Sequence, residues 1–411
     1  MSSDRTSGTT RRPASMLALA TVGFAVNFWA WALLSPLGPR FKEILGLSAT
    51  QQALLVAVPV IVGSLGRIPV GALTDRYGGR VMFPLISALT MVPVLFIGLA
   101  GQGSLAALLV GGFFLGIGGT VFAVGVPFVS AWFPPERRGL AVGVFGMGMG
   151  GTAISALTTV RLVRTGGSAT PFLLTAAVLA LYAVVAWFAL RDAPGRTAPT
   201  QSIMARLAAA VRLPITWQAC VLYAVAFGGY VAFSVYLPVY LQSAYGLEQA
   251  DAANRMAGFV ILAVVMRPIG GWLSDRIGPI PVLVAVFAVV ACCAAAQAFT
   301  PPLMMLGTAA FLTMAAALGA GSGATFALVA TVAPADKVGS VTGLVGAAGG
   351  LGGFVPPLVM GLVYSLFGSY GLGLALLAGV SVLMLVLTVT AVRATAGRRP
   401  AAPPMPSRPA H

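Results

Sequence analysis

The chain has 411 residues, of which 58% are hydrophobic and 8% charged, with a mean hydropathy of +0.96. Soluble domains carry roughly 25% charged residues, so this composition excludes an ordinary water-soluble fold and indicates a chain that crosses the bilayer repeatedly. A net charge of +15 would suit nucleic acid if the arginines formed one stripe. They lie instead in short connectors between apolar runs, which argues for a membrane partner and against nucleic acid.

In chain order, residues 1–15 form a polar, basic tail that is expected to be disordered. The apolar run from Met16 to Leu37 is about 20 residues, too long for a signal-peptide core and long enough to span. It is the first of twelve predicted transmembrane helices. The others fall near 51–73, 80–99, 104–131, 138–163, 170–190, 214–242, 253–274, 280–299, 302–330, 338–366 and 370–392. This gives an N-terminal six-helix half over 16–190, a polar linker over 191–213 and a C-terminal six-helix half over 214–392. The Pro-rich remainder, 393–411, reads as a disordered tail. The expected fold class is an all-α integral membrane protein, twelve helices in two pseudo-symmetric halves. Arg5, Arg11, Arg12, Arg76, Arg80, Arg137, Arg138 and the linker arginines share one side, whereas Arg40, Lys42 and Arg255 are among the few on the other. By the positive-inside rule both termini are cytoplasmic.

The halves repeat at an offset of 200 residues. In the stretch GSLGRIPVGALTDRYGGR, Gly63 to Arg80, the residues Arg67, Gly71, Asp75, Arg76 and Gly78 recur as Arg267, Gly271, Asp275, Arg276 and Gly278. Gly139, Gly143, Gly146 and Gly150 recur as Gly339, Gly343, Gly346 and Gly350. Equal offsets in two separated regions mean two copies of one unit.

All nine acidic residues fall in tails or connectors, which leaves Arg67 and Arg267 as the charges clearly inside helices. Each lies eight residues before an aspartate. At 1.5 Å per residue that is roughly 12 Å inside the boundary, near the midplane of a core about 30 Å thick. A charge at that depth costs at least ~2.5 kcal/mol and marks a functional site. The bland reading is an arginine that snorkels or pairs with a buried carboxylate. Snorkelling is a long reach from the midplane, and no intramembrane carboxylate is available. The sharper reading sets one guanidinium from each half across the repeat interface, where two unpaired charges call for an anion and suit a planar oxyanion.

Cys220, Cys292 and Cys293 sit in apolar runs and the single histidine is His411, so neither a metal cluster nor a histidine dyad can be assembled. No metal, no cofactor and no enzymatic activity are expected. GVFGMGMGG, with Gly146, Gly148 and Gly151, and GLVGAAGGLGGFVPP, with Gly349, Gly350, Gly352 and Gly353, put glycine at three- and four-residue spacing. Such rows let helices approach and slide, the ordinary reading; close backbone approach to a small ligand is the alternative.

GALTDRYGGR resembles the loop motif between the second and third helices of the major facilitator superfamily, and WLSDRIG resembles its echo in the second half. Within the superfamily the chain is similar to the nitrate/nitrite porters over about residues 16–392. The similarity is carried by GRIPVG, by Gly118 to Gly146, by LYAVAFGGYVAFS and by GAAGGLGGFVPP. The resemblance implies an alternating-access porter of nitrate and/or nitrite, a monomer in the lipid bilayer of the inner membrane with a place in nitrate assimilation. It implies an anion clasped by Arg67 and Arg267, flanked by the rings of Phe122 and Phe227, with Tyr223 as a hydroxyl donor. It also implies a latch built from Asp75, Arg76, Gly78 and Arg80, echoed by Asp275 and Arg276, whose acids can accept from the next helix's N-terminus or a loop arginine. Met149 departs from the pattern, because the family has asparagine there and a thioether cannot donate a hydrogen bond. No buried carboxylate or histidine offers a proton site, which favours nitrate/nitrite exchange, although the resemblance also permits nitrate–proton symport. A porter for formate or another monocarboxylate, an anion channel, and a sensor on the same fold are the alternatives.

Overall fold

The structure is a computed structural model and describes residues 7–47, 49–196 and 202–397. Among them there is no strand. The first span consists of α1 (Ser7–Trp31) and α2 (Leu34–Leu45), and the second of α3 (Ala49–Leu65) and α4 (Arg67–Tyr77). The third is α5 (Gly79–Leu99), and the fourth is α6 (Leu105–Leu115) and α7 (Val121–Trp132), joined by a 3₁₀ turn at Gly116–Thr120. The fifth is α8 (Arg138–Gly146) and α9 (Gly151–Gly166), joined by a 3₁₀ turn at Met147–Gly150, and the sixth is α10 (Thr170–Ala189). The linker carries a helix of its own, α11 (Ile203–Val211). The second half comprises α12 (Pro214–Tyr245), α13 (Gln249–Ile277), α14 (Pro279–Ala298), α15 (Thr308–Val332), α16 (Val338–Phe367) and α17 (Gly371–Leu387), which runs on through a π turn into α18 (Arg393–Gly397).

Twelve helical spans are therefore present in the described residues, in the order expected. Eleven stretches are individually long and apolar enough to cross a bilayer. The second span is not one of them: α3 is only 17 residues, and α4 begins with Arg67 and carries Asp75 and Arg76 in its last turns. Three boundaries differ from expectation. Helix α1 starts at Ser7 and accommodates Pro13 in its second turn, so part of the expected N-terminal tail is helical. The C-terminal helix continues to Gly397. The linker is helical over Ile203–Val211. Residues 1–6 and 398–411 of the two tails, and 197–201 of the linker, lie outside the described residues.

Large apolar side chains such as Leu181, Phe188 and Leu366 are exposed on the perimeter, as a surface solvated by lipid requires. The two halves meet through the glycine rows, and they meet symmetrically. A Cβ built on Gly71 would strike the Gly339 carbonyl, and one on Gly271 would strike that of Gly139. One on Gly343 would meet the Arg67 carbonyl and sit 3.2 Å from Ile68 Cα; one on Gly143 would sit 2.5 Å from Pro268 Cα. The glycine row of each half thus seats on the arginine helix of the other, α16 on α4 and α8 on α13. Only residues without a side chain permit backbones to lie this close.

Candidate functional site

Arg67 is the first residue of α4, immediately after the break at Gly66. Just before it, α3 lies almost backbone to backbone on the glycine-rich turn of the fourth span: a Cβ on Gly63 would sit 3.1 Å from the Gly116 carbonyl oxygen and 3.3 Å from Gly119 Cα. Arg67 is 3% exposed. Its Nε donates to the Gly119 carbonyl at 3.0 Å, and its Nη1 donates to the Gly346 carbonyl at 2.8 Å. Gly119 belongs to the first half and Gly346 to the second, so this side chain already bridges the interface.

Arg267 sits midway along α13 and is 4% exposed. Its Nη2 donates to Tyr223 Oη at 3.0 Å, and its Nη1 lies against the Met149 sulfur, which comes from the opposite half. Because Tyr223 accepts from Arg267, its own hydroxyl proton is left to donate elsewhere. Both guanidiniums flank one ring. Arg67 Cζ is 5.5 Å and Arg267 Cζ 5.9 Å from the Phe122 centroid, and Arg267 is also 5.4 Å from that of Phe227. These distances are within cation–π range, an interaction that partly offsets the burial of charge. Neither arginine is among the ion pairs formed by the described residues.

Three rings share one orientation. Phe122 and Tyr223 are parallel to within 3° at 6.4 Å, and Tyr223 and Phe227, one helical turn apart on α12, to within 2° at 4.8 Å. Phe326 of α15 stands nearly perpendicular to both Phe122, at 4.8 Å, and Tyr223, at 4.6 Å, and so fixes their spacing. Nothing in the amino-acid pattern singles out Phe326: it is one aromatic inside an apolar helix, and only tertiary packing reveals it. The structure therefore brings together Arg67, Arg267, Phe122, Tyr223, Phe227 and Met149. They form a buried, cationic, flat-walled site between the halves, with N–H and O–H donors and no described carboxylate among the groups that contact the guanidiniums.

The glycines divide by neighbour. Gly146 faces the Arg267 side chain, with a built Cβ 3.1 Å from Nε, and Gly346 faces that of Arg67, 3.0 Å from Cδ. Gly148 and Gly151 face Phe24 and Ala25 of α1. Gly349, Gly352 and Gly353 face Tyr223, Ala224 and Val231 of α12, while Gly350 faces Ser64 of α3. Packing accounts for these positions, and two of them also make room for the arginines.

The acids of the repeated turn reach across to the other half. Asp75 accepts from Gly339 N at 3.0 Å, Ser340 N at 2.9 Å and Ser340 Oγ at 2.9 Å, at the first turn of α16. Asp275 accepts from Gly139 N and Leu140 N, both at 2.7 Å, at the first turn of α8. A carboxylate on the exposed N–H groups of a helix start is electrostatically favourable. The helix being capped is thus in the opposite half and is not the next in sequence. Gly78 has φ +83°, as the tight turn requires, and a Cβ there would strike the Asp192 carboxylate, which accepts from Arg80 N at 3.2 Å. The structure places Arg76 over Tyr77 at 5.5 Å and Arg276 over Trp272 at 4.3 Å. The cation that meets Asp75 is a linker residue, Arg206.

The sequence profile of the Major Facilitator Superfamily matches residues 20–357 and 256–411. The chain is 50% identical to the probable nitrate/nitrite transporter NarK2 of Mycobacterium tuberculosis, over 93% of this chain and 97% of that one. It belongs to the Major Facilitator Superfamily. The chain is also 35% identical to the nitrite extrusion protein of Bacillus subtilis, over 91% of this chain and 93% of its length. It is 34% identical to the probable nitrate transporter NarT of Staphylococcus haemolyticus, over 90% and 94%. Among solved structures, the major facilitator transporter FucP in its outward conformation superposes with a TM-score of 0.74 at 19% identity, covering 91% of this chain and 97% of that one. The proton:xylose symporter XylE does so with 0.75 at 14% identity, covering 93% and 96%. At such identities these two attest the fold alone. As a major facilitator protein this chain is a multi-pass membrane transporter, and its buried arginine pair lies between the two halves of that fold.

Proposed function

We propose that this protein carries nitrate and/or nitrite across the inner, plasma membrane by alternating access, as a monomer with both termini in the cytoplasm. The observation that carries the reading is the arginine pair: two arginines from opposite halves, each at most 4% exposed, both beside one aromatic ring and neither in an ion pair among the described residues. A small anion is the missing countercharge. Planarity follows from the parallel rings and from guanidinium forks, which match flat oxyanions through paired hydrogen bonds. Of the possible planar oxyanions, nitrate and nitrite are the ones that the names of the relatives support.

In this reading the anion draws Arg67 and Arg267 together, with Tyr223 donating its free proton and the rings of Phe122 and Phe227 as walls. Without the anion, two like charges face one another in a site from which water is largely excluded, which disfavours return of the empty carrier. Obligatory exchange of nitrate for nitrite is the transport mode that this electrostatics favours. The end carrying the linker is cytoplasmic by its basic residues, and there both inter-half latches are formed, so the conformation fits one closed towards the cytoplasm. Reconstitution tests the reading: purified protein in liposomes preloaded with nitrite should take up labelled nitrate, and empty liposomes should take up little.

A further inference from the structure

The linker between the halves is built into the interface. Ser202 caps α11, its hydroxyl accepting from Ala205 N at 3.2 Å, and the helix so started carries Arg206 into the protein, where it is 2% exposed. Arg206 forms an ion pair with Asp75; its Nη1 donates to the Ala72 carbonyl at 3.2 Å and its Nη2 to the Asp336 carbonyl at 2.8 Å. Ala72 and Asp75 lie on α4 of the first half, whereas Asp336 lies in the turn that opens α16 of the second. One side chain that belongs to neither half therefore ties both. Earlier on the linker, Arg196 donates to the carbonyl of Asp75, at 2.7 Å, in the last turn of α4, and more weakly to that of Thr74, at 3.4 Å, which also accepts the Gly78 N–H. Among the described residues, no cation meets the acid of the repeat-related latch. Asp275 accepts two backbone N–H groups and is in none of the ion pairs of the described residues.

We infer that the linker helix is a bolt on the transport cycle: Arg206 locks the α4–α16 latch and must withdraw before the linker end can open. The two latches are consequently unequal, although the residues that build them recur at the same 200-residue offset. At Asp275 the α8–α13 contact parts by breaking two hydrogen bonds, whereas at Asp75 the α4–α16 contact must break three and also release a buried ion pair. Because both partners of that pair are almost fully enclosed, ordinary salt screens it little, and opening should be insensitive to ionic strength. The inference rests on alternating access as the transport mode.

The test is a distance measurement on the full chain in liposomes. Cys220, Cys292 and Cys293 are replaced by alanine, and spin labels are placed at Arg80→Cys in the first half and Ala335→Cys in the second, both exposed positions on either side of the bolt. The parent should give mainly one short distance. Arg206→Gln should add a longer one, with the open-to-closed ratio raised at least about tenfold, as expected when a buried charged pair is broken. Arg212→Gln, exposed at the end of the same helix, should leave the distribution of the parent. Arg206→Lys should shift it partly, because an ammonium keeps the charge but not the fork that spans three acceptors. That variant decides the matter if Arg206→Gln does not fold. An Arg206 substitution with the distances of the parent, or an equal shift from Arg212→Gln, overturns the inference. Nitrate/nitrite exchange by the parent in the same liposomes is scored separately: its absence would sink the carrier reading, whereas exchange with unmoved distances sinks only the bolt.

Discussion

Changing Arg267 to lysine keeps the charge and removes the planar fork. The side chain is 4% exposed, bound to Tyr223 Oη at 3.0 Å and set against the Met149 sulfur and the Phe227 ring, so little room exists for an ammonium and its water. A lysine can present one N–H well to a flat anion but cannot hold two in parallel. Losing one hydrogen bond between charged partners costs about 1.5–3 kcal/mol. At 1.4 kcal/mol per tenfold, that is roughly a 10- to 150-fold rise in half-saturation. Tyr223 loses its donor as well and drifts from its parallel alignment with Phe122, which pushes the loss towards the upper end. Transport should then fall to near background at substrate levels that saturate the parent. The assay is competition by unlabelled anion against labelled uptake in proteoliposomes, with equal amounts of monodisperse protein. A folded Arg267→Lys protein whose half-saturation stays within about threefold of the parent, under about 0.7 kcal/mol, would falsify the clamp.

The same competition assay checks the remaining site residues. Arg67→Lys should also abolish most transport, and because Arg67 bonds to a carbonyl of each half it should additionally lower the thermal stability of the protein in detergent. Phe122→Ala and Phe227→Ala should weaken anion affinity more than membrane abundance; parallel losses would reduce these rings to packing. Met149→Asn puts an amide donor where a thioether now lies against Arg267. A net hydrogen bond worth about 0.5–1.5 kcal/mol should improve nitrate, with three oxygens to satisfy, several-fold more than nitrite, and an unchanged ratio of the two would place Met149 outside the site. Gly271→Ala drives a methyl group into the Gly139 carbonyl and should force the α8–α13 latch apart, seen as faster modification of a cysteine introduced at Leu140; a rate equal to that of the parent would mean that the helices do not rely on this approach.

The fold was legible because bilayer thickness sets the length of each apolar run and because the 200-residue offset pairs the halves. The arginines were legible for a related reason: a charge that deep has no ordinary explanation. The breaks in the first, second, fourth and fifth spans were not. An apolar pattern runs through Gly66, Gly116–Thr120 and Met147–Gly150 without interruption, and the turns there arise from close contact between helices. Nor could sequence separate Arg206 from its neighbours. In the linker it reads as one more basic residue fixing topology, and its burial depends on where α4 and α16 meet. The latch shows the same limit. The repeat marked Asp75 and Asp275 as equivalent, and each accepts two backbone N–H groups of a helix start, yet Asp75 also takes the Ser340 hydroxyl and, from outside the repeat, the Arg206 guanidinium.

The central claim is that an anion neutralises the arginine pair and that the empty carrier returns poorly. Labelled nitrate uptake into proteoliposomes, preloaded with nitrite or empty, with and without an inward-acid pH gradient, tests it most directly. Uptake that requires internal nitrite, ignores the pH gradient and disappears in Arg267→Lys is the predicted result. Uptake into empty liposomes that is driven by the gradient would contradict exchange, and uptake by a folded Arg267→Lys protein at the rate of the parent would contradict the site.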